Sequence, residues 1–486
     1  MEWIIITTYS LSLLIITIFS LGQLNLSIHY IKKRKNKADF KLPDSLPKVT
    51  VQLPVYNEKY VVERLIKSVA GLDYPNRLLE IQVLDDSTDE TRDLIDTVVA
   101  DFQQKGLDIS AIRRDQRIGY KAGALQYGLE RAKGEFIAIF DADFMPKPDF
   151  LLQTIGYFVN DGIGLIQTRW EHLNKNYSIL TRMQAFGLDA HFTVEQSGRN
   201  LAGSFINFNG TAGVWRKKCI ENAGGWQHDT LTEDLDLSYR AQLNGWKFIY
   251  VQDVGSPAEL PVVVPAIKSQ QYRWNKGAAE TARKNLGKVL KAPLTFPHKT
   301  RAVLHLLNSS VFFFLLMAAI LSIPMLYLKR GNPQLTWVFD AGSIFIVGFI
   351  AMSIFYWIAS KSLYEKGTAK YYLTHFPLFL SFSMGMALHN SIAILEGFLG
   401  KKTAFVRTPK FNVIENTDSW KDNKYLKEVA NPVTILEGLL MLYFGFGVAS
   451  GIYLHDYGLI LFHFMMMLGF GLVFVYTFNT FPNAKA

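Results

Sequence analysis

Apolar and polar positions follow two regimes along this chain. Near the start, and again after about residue 300, they form runs of roughly 20 mostly apolar residues, the length at which a helix crosses a hydrocarbon core. The runs are Ile4 to Leu26, Leu304–Leu328, Leu335–Ala359, Pro432–Leu454 and Leu459–Phe481. Between about Pro43 and Thr300 the apolar stretches shorten to strand length and alternate with helical pattern, which predicts an α/β domain. Its clearest strands are Val49–Val55, Ile81–Leu84, Phe136–Phe140 and Gly164–Gln167, each running into a polar or acidic cluster. Acidic residues at strand ends are where open α/β sheets hold ligands.

The first run lacks a basic leader and a small-residue cleavage site, so it reads as a retained anchor, residues 1–31. Lys32, Lys33, Arg34, Lys35, Lys37 and Lys41 follow it and mark the cytoplasmic side. The α/β domain, residues 32–300, is therefore expected in the cytosol, with interface helices near 175–200 and 264–295. Two spans follow over 301–360, and two more over 432–481. Tyr371–Gly400 can be read two ways. If it crosses the bilayer, the basic segment 401–431, with Lys401, Lys402, Arg407, Lys410, Lys421, Lys424 and Lys427, lies outside, against the charge rule. Pro377, Gly385, His389, Asn390 and Glu396 favour an interfacial helix over 371–400, which keeps 401–431 cytosolic. That gives five crossings.

Composition agrees with lipid contact. Of 486 residues, 49% are hydrophobic and only 19% charged, and the mean hydropathy is +0.11. The single cysteine, Cys219, excludes a disulfide framework within the chain and any multi-cysteine metal site. The net charge of +9 is accounted for by basic residues flanking apolar runs, so no nucleic-acid partner is expected.

Four polar clusters carry chemistry. Asp85-Asp86-Ser87-Thr88-Asp89 ends one strand, and Asp141-Ala142-Asp143 ends another. A lone Asp-x-Asp is usually a strand-end turn, but two clusters on one sheet edge suit a hard divalent cation shared with a substrate diphosphate. Leu231-Thr232-Glu233-Asp234-Leu235-Asp236 opens a helix, where Thr232 is a capping residue and the acids complement the dipole. Gln270-Gln271-Tyr272-Arg273-Trp274 sets a phosphate-binding fork beside a stacking surface. Taken singly, each has an ordinary structural explanation.

Together and in this order, the four clusters resemble the signature of the processive family 2 glycosyltransferases, the group of cellulose, hyaluronan and chitin synthases. Gly119-Tyr120-Lys121-Ala122-Gly123-Ala124-Leu125, His191-Phe192-Thr193-Val194-Glu195-Gln196 and Asn209-Gly210-Thr211-Ala212-Gly213-Val214-Trp215-Arg216 look most like the plant cellulose synthase-like A and C enzymes, which make mannan, glucomannan and xyloglucan backbones. The likeness is strong over 48–285 and loose in the membrane region. It implies a GT-A catalytic domain joined to an α-helical transmembrane domain. It also implies that Asp85 and Asp86 contact the nucleotide, and that Asp141 and Asp143 engage a diphosphate bound to Mg²⁺ or Mn²⁺. Asp234 would be the general base of an inverting transfer. Gln270, Arg273 and Trp274 would hold the acceptor end and the diphosphate, and Phe208, Asn209, Gly210 and Thr211 would line the acceptor entrance.

Phe405-Val406-Arg407-Thr408-Pro409-Lys410 resembles the Phe-x-Val-Thr-x-Lys gating loop of bacterial cellulose synthase, with Phe405, Thr408 and Lys410 over the donor and Arg407 in the place of Val. His191 and Glu195 lie one turn apart, but with no third ligand the stretch 175–200 reads as an interface helix, with Leu180, Met183, Phe186 and Ala190 inward. The implied partners are UDP-glucose or GDP-mannose, a growing polysaccharide and the bilayer, in a bacterial inner membrane or the Golgi. Two alternatives stay open: a non-processive transferase adding one or a few sugars to a membrane lipid, and a transporter or receptor with a nucleotide-binding domain.

Overall fold

The computed structural model describes residues 2–479 apart from 36–37, 333, 335–336, 338–341, 365, 416, 422 and 427–431. Seven strands form one mixed sheet in the order β3-β2-β1-β4-β6-β5-β7. They are β1 (Val49–Val55), β2 (Leu79–Asp85), β3 (Asp108–Ile112), β4 (Phe136–Ile139), β5 (Ile163–His172), β6 (Gly213–Arg216) and β7 (Lys247–Ala258). The first four are mutually parallel, β6 runs antiparallel to both β4 and β5, and β7 is parallel to β5.

β1 and β2 are covered on both faces, yet they alternate in sequence: apolar residues fill one face, while Thr50, Gln52, Glu80 and Gln82 are buried on the other and pair between the strands, Thr50 donating to Glu80 at 2.6 Å and Gln52 to Gln82 at 3.0 Å. One face packs beneath helices Val62–Ala70, Thr91–Gln104 and Phe150–Ile155, the other beneath Tyr120–Leu129 and Glu233–Leu243, with Phe208, Trp215 and Trp226 between. Register pairs Val55 with Asp85 and Gln52 with Ile139. The acidic turns after β2 and β4 therefore leave the sheet at the same edge.

Among the described residues, five helices are long and apolar enough to cross a membrane: Glu2–Lys33, Asn308–Gly331, Ser343–Leu363, Pro432–Tyr453 and Ile460–Phe478. They mark the chain as an integral membrane protein. The run read as starting at Leu304 begins later, because Phe296–Leu306 is a separate helix that ends before a 3-10 turn at Asn308–Ser310. Several residues of the Leu335–Ala359 run, and Lys427 with Asn431 of the basic segment, lie outside the described residues.

The stretch read as one interfacial helix over 371–400 is two helices, Thr368–Gly385 and Ala387–Leu399, meeting at 49°. The break falls where Gly385 lies so close to Gly469 that a Cβ on it would sit 2.2 Å from the Gly469 carbonyl oxygen. Both ends of the pair touch the α/β domain. At its start, Tyr364 just before the first helix and Tyr371 in its first turn lie under the Lys175 ammonium, 5.0 and 5.3 Å from the ring centres. After it, Thr403 accepts from Lys276 at 2.8 Å. The stretch read as an interface helix over 175–200 is Ile179–Ala190, a π-helical turn at His191–Glu195, and Gln196–Leu201.

Candidate active site

One cavity lies at the sheet edge where β1, β2 and β4 end. It is lined by Asp86, Asp141, Asp143, Asn209, Gly210, Asp234, Gln270, Arg273, Trp274, Phe405, Thr408 and Lys410. Residues from six separate stretches of sequence thus meet in one place.

The close approach has local causes. Helix Val264–Lys291, which carries Gln270, Arg273 and Trp274, crosses the start of helix Glu233–Leu243 at Gly277. A Cβ there would lie 2.6 Å from Thr232. Thr232 makes no capping bond through its side chain, contrary to its reading as a cap, and its hydroxyl instead meets that of Thr281 at 3.2 Å. Asp236 ties the two helices, holding Arg240 at 2.8 Å, Lys284 at 3.0 Å and Asn285 at 2.8 Å.

Asp234 sits in the first turn of its helix. Its Oδ1 accepts from the Leu235 N–H at 2.8 Å, leaving Oδ2 toward Gly210. A Cβ on Gly210, whose φ is +78°, would lie 3.1 Å from that oxygen. Burial and the neighbouring Glu233 carboxylate push the Asp234 carboxyl up from its ordinary value, against the opposing pull of Lys121. A carboxylate so placed is a stronger base than one in water, as proton removal requires.

The Asp-x-Asp pair is held by two lysines. Lys121 donates to Asp141 Oδ1 at 2.6 Å and to the Gly210 carbonyl at 2.9 Å. Lys410 reaches Asp143 Oδ2 at 2.5 Å. Asp143 Oδ1 is buried with no hydrogen-bond partner. That orphaned hard oxygen, with Asp141 alongside, fits a magnesium or manganese ion. The described residues hold no group of three metal-binding side chains, so the other ligands would come from diphosphate and water, the usual habit of Mg²⁺.

Some motif residues stand behind the cavity. Asp85 is buried below the turn, accepting from Ser87 N–H at 2.9 Å and from Arg113 Nε at 2.8 Å, while Asp86 lines the cavity and is gripped at both oxygens by Arg114, at 2.8 and 2.5 Å. Phe208 is buried against Trp215 and Trp226. Thr211 is buried too, and its hydroxyl accepts from the Asp141 N–H at 2.9 Å. These three residues position their neighbours.

The loop after Gly400 enters the cavity. Thr408 Oγ1 accepts from Arg273 at 2.6 Å, and Phe405 stacks on Tyr120 at 5.5 Å with the Arg273 guanidinium 4.8 Å away. Arg407 pairs with Glu58 at 2.6 Å. Glu259 accepts from the Phe411 and Asn412 N–H groups at 2.9 and 3.1 Å. Sequence reasoning missed Glu58, Arg117, Lys121, Glu233 and Glu259. For Lys121 a signal existed in the Gly119-Tyr120 pair, whose positive φ values, +71° and +49°, turn the chain into the helix.

A mixed sheet whose acidic strand ends open on one cavity, with a helix-borne carboxylate opposite, defines the GT-A class. Residues 47–277 match the model of glycosyltransferase like family 2, and this part of the chain is a family 2 glycosyltransferase domain. "Probable glucomannan 4-beta-mannosyltransferase 4" of Oryza sativa subsp. japonica is 46% identical over 283 residues, 57% of this chain and 51% of the relative. Glucomannan 4-beta-mannosyltransferase 2 of Arabidopsis thaliana is 44% identical over 252 residues, 51% and 47%. The chain spans about half the length of the curated relatives it matches. Among solved structures, mannosyltransferase PcManGT from Pyrobaculum calidifontis, in complex with GDP-Man and Mn2+, covers 81% of this chain and 100% of its own, with a TM-score of 0.55 at 20% identity. At that identity the likeness is one of fold.

Proposed function

We propose that the chain is a membrane-embedded inverting hexosyltransferase that polymerises a β-linked mannan or glucomannan, with β-1,4 linkage and GDP-mannose as the favoured donor, and passes the product through its membrane helices. The observation that carries this reading is the meeting of Asp86, Asp141, Asp143, Asp234, Gln270, Arg273 and Trp274 in one cavity, on one wall of which the helix of Gln270 is tied through Lys268 to Glu437 of the apolar helix Pro432–Tyr453. The names of the relatives favour mannose over the glucose of UDP-glucose.

In this reading the acceptor sugar stacks on Trp274 and presents a hydroxyl to Asp234 Oδ2. As the acceptor's hydroxyl oxygen attacks the anomeric carbon, its proton passes to Asp234 and the bond from that carbon to the diphosphate breaks on the opposite face. Arg273 and Lys410 supply positive charge toward the departing diphosphate. Asp141 and Asp143 would hold a Mg²⁺ or Mn²⁺, which would supply positive charge for the leaving group. The loop 401–431 acts as a gate on the catalytic side, which is cytosolic if Lys32 to Lys41 obey the charge rule. The ends of the bent helix pair support this placement, since both touch the α/β domain.

The test is Asp234→Asn, which keeps the shape of the site but cannot take the proton. Transfer should fall by at least about a hundredfold, with binding of GDP-mannose within a few-fold of wild type. Retained transfer overturns the base assignment.

A further inference from the structure

A second cavity, of about 340 Å³, opens between the N-terminal helix Glu2–Lys33 and the short helix Phe296–Leu306. It shares no residue with the catalytic cavity. Its walls divide by chemistry: Phe19 and Leu304 are apolar, while Asn25, Thr300, Arg301 and Arg199 are polar.

Arg301 is the informative residue. Its protein contacts are long, 3.1 Å to Asn25 Oδ1, 3.4 Å to Ser204 Oγ and 3.5 Å to the Ala202 carbonyl. None is to a carboxylate, so among the described residues its charge has no counterion. Arg199 is only 4% exposed and lines the same cavity; one nitrogen pairs with Glu195 at 2.6 Å, and its Nε has no partner. Gln23 Oε1, also on the wall, is buried and unpartnered. Buried polar atoms left unmet are costly, and an unpaired guanidinium offers the fork that fits a phosphate.

The position of the cavity selects the source of that phosphate. Asn25 stands at the end of the apolar run of the first span, seven residues before Lys32 and eight before Lys33. Phe296, at the start of the short helix, is 83% exposed. An apolar ring without protein cover on a short helix beside a span suits insertion at the boundary of headgroups and acyl chains, and basic pockets among spanning helices at that level suit anionic headgroups. The site also touches the catalytic domain: Tyr239, on the helix that Asp234 opens, reaches the Ala302 carbonyl at 3.1 Å and His305 Nδ1 at 2.9 Å.

We propose that this cavity binds an anionic glycerophospholipid, its phosphate on Arg301 and an acyl chain along Phe19 and Leu304. The proposal rests on the first helix being a span and is independent of the sugar chemistry.

The experiment is native mass spectrometry of the full chain in detergent, titrated with phosphatidylglycerol, phosphatidylcholine and inorganic phosphate. Wild type should take up phosphatidylglycerol at a roughly tenfold lower concentration than phosphatidylcholine. Arg301→Gln should abolish that preference and Arg301→Lys should keep part of it. Thr300→Trp, which fills the mouth and leaves Arg301 in place, should weaken uptake of both lipids and gives a reading even if Arg301→Gln fails to fold. No preference in wild type, or wild-type binding by Arg301→Gln and Thr300→Trp, would overturn the proposal. Displacement of phosphatidylglycerol by inorganic phosphate alone would assign the cavity to a free anion and overturn it equally.

Discussion

Arg407 stands where the gating-loop motif has valine, and the structure gives it a task that a valine cannot perform. Its guanidinium pairs at 2.6 Å with Glu58, in a contact where the two side chains are 16% and 7% exposed. Burial pushes the Glu58 carboxyl up to about 7 even with this partner present. Arg407→Val therefore strands a buried carboxylate whenever the loop is docked. Removing one partner of a buried pair costs about 3–5 kcal/mol. In the proposed gate the loop swings out and hydrates Glu58, so the lower figure is the better guide: about 3 kcal/mol, or on the order of a hundredfold in the ratio of docked to undocked loop. The docking contacts through Thr408, Lys410 and Glu259 remain. The donor KM should rise steeply, and trypsin should cut more readily at Lys401 and Lys402. Two controls bind the effect to the charge. Glu58→Gln with Arg407→Val should recover most of the loss, since an amide needs no counterion. The single variant should also recover as the pH falls, because loss of Arg407 raises the buried Glu58 carboxyl further and protonation then removes the stranded charge. A single variant with wild-type KM, or a double variant no better than the single, would refute the reasoning.

Three further outcomes are expected. Asp143→Asn should raise the Mg²⁺ or Mn²⁺ concentration needed for transfer and chelator should silence the wild type; activity indifferent to chelator would count against a cation at Asp141 and Asp143. The acid limb of the kcat profile should lie above the ordinary carboxylate range, since as the proposed base Asp234 acts only when deprotonated and its surroundings raise its pKa; Glu233→Gln removes the repelling neighbour and should move that limb to lower pH, whereas an unmoved limb separates it from Asp234. Gly210→Ala places a Cβ 3.1 Å from Asp234 Oδ2 at a φ of +78°, so kcat should fall at least tenfold with a stability loss of only about 1–2 kcal/mol; unchanged kcat would mean that Oδ2 is not the reacting oxygen.

The parts of the fold legible in the sequence were those with local causes. β4 announces itself because a strand buried on both faces needs continuous apolar residues, and β1 and β2 by apolar residues that alternate with Thr50, Gln52, Glu80 and Gln82. β3 escaped notice as a five-residue edge strand with one fully buried position. β6 is four residues inside a motif, and β7 is interrupted by polar residues where its register with β5 shifts. At the site, the acidic clusters were legible because carboxylates at strand ends and helix starts have few structural reasons to gather. What could not be read was which member of each cluster faces the cavity. Asp85 and Asp86 differ by one residue, yet the first braces Arg113 and the second lines the site. Lys121, Glu58 and Glu259 acquire their roles only when distant segments close on them.

The central claim is that this cavity builds a β-linked mannose-containing chain, and the most direct measurement is of the product. Purified protein in lipid nanodiscs, given radiolabelled GDP-mannose with Mg²⁺ or Mn²⁺, should yield labelled material of high molecular weight that a β-1,4-mannanase reduces to short oligosaccharides, and UDP-glucose added alongside should enter the same chain if the product is glucomannan. Label recovered only as one or a few sugars on an extractable lipid, or a polymer that the mannanase leaves intact, would contradict the account.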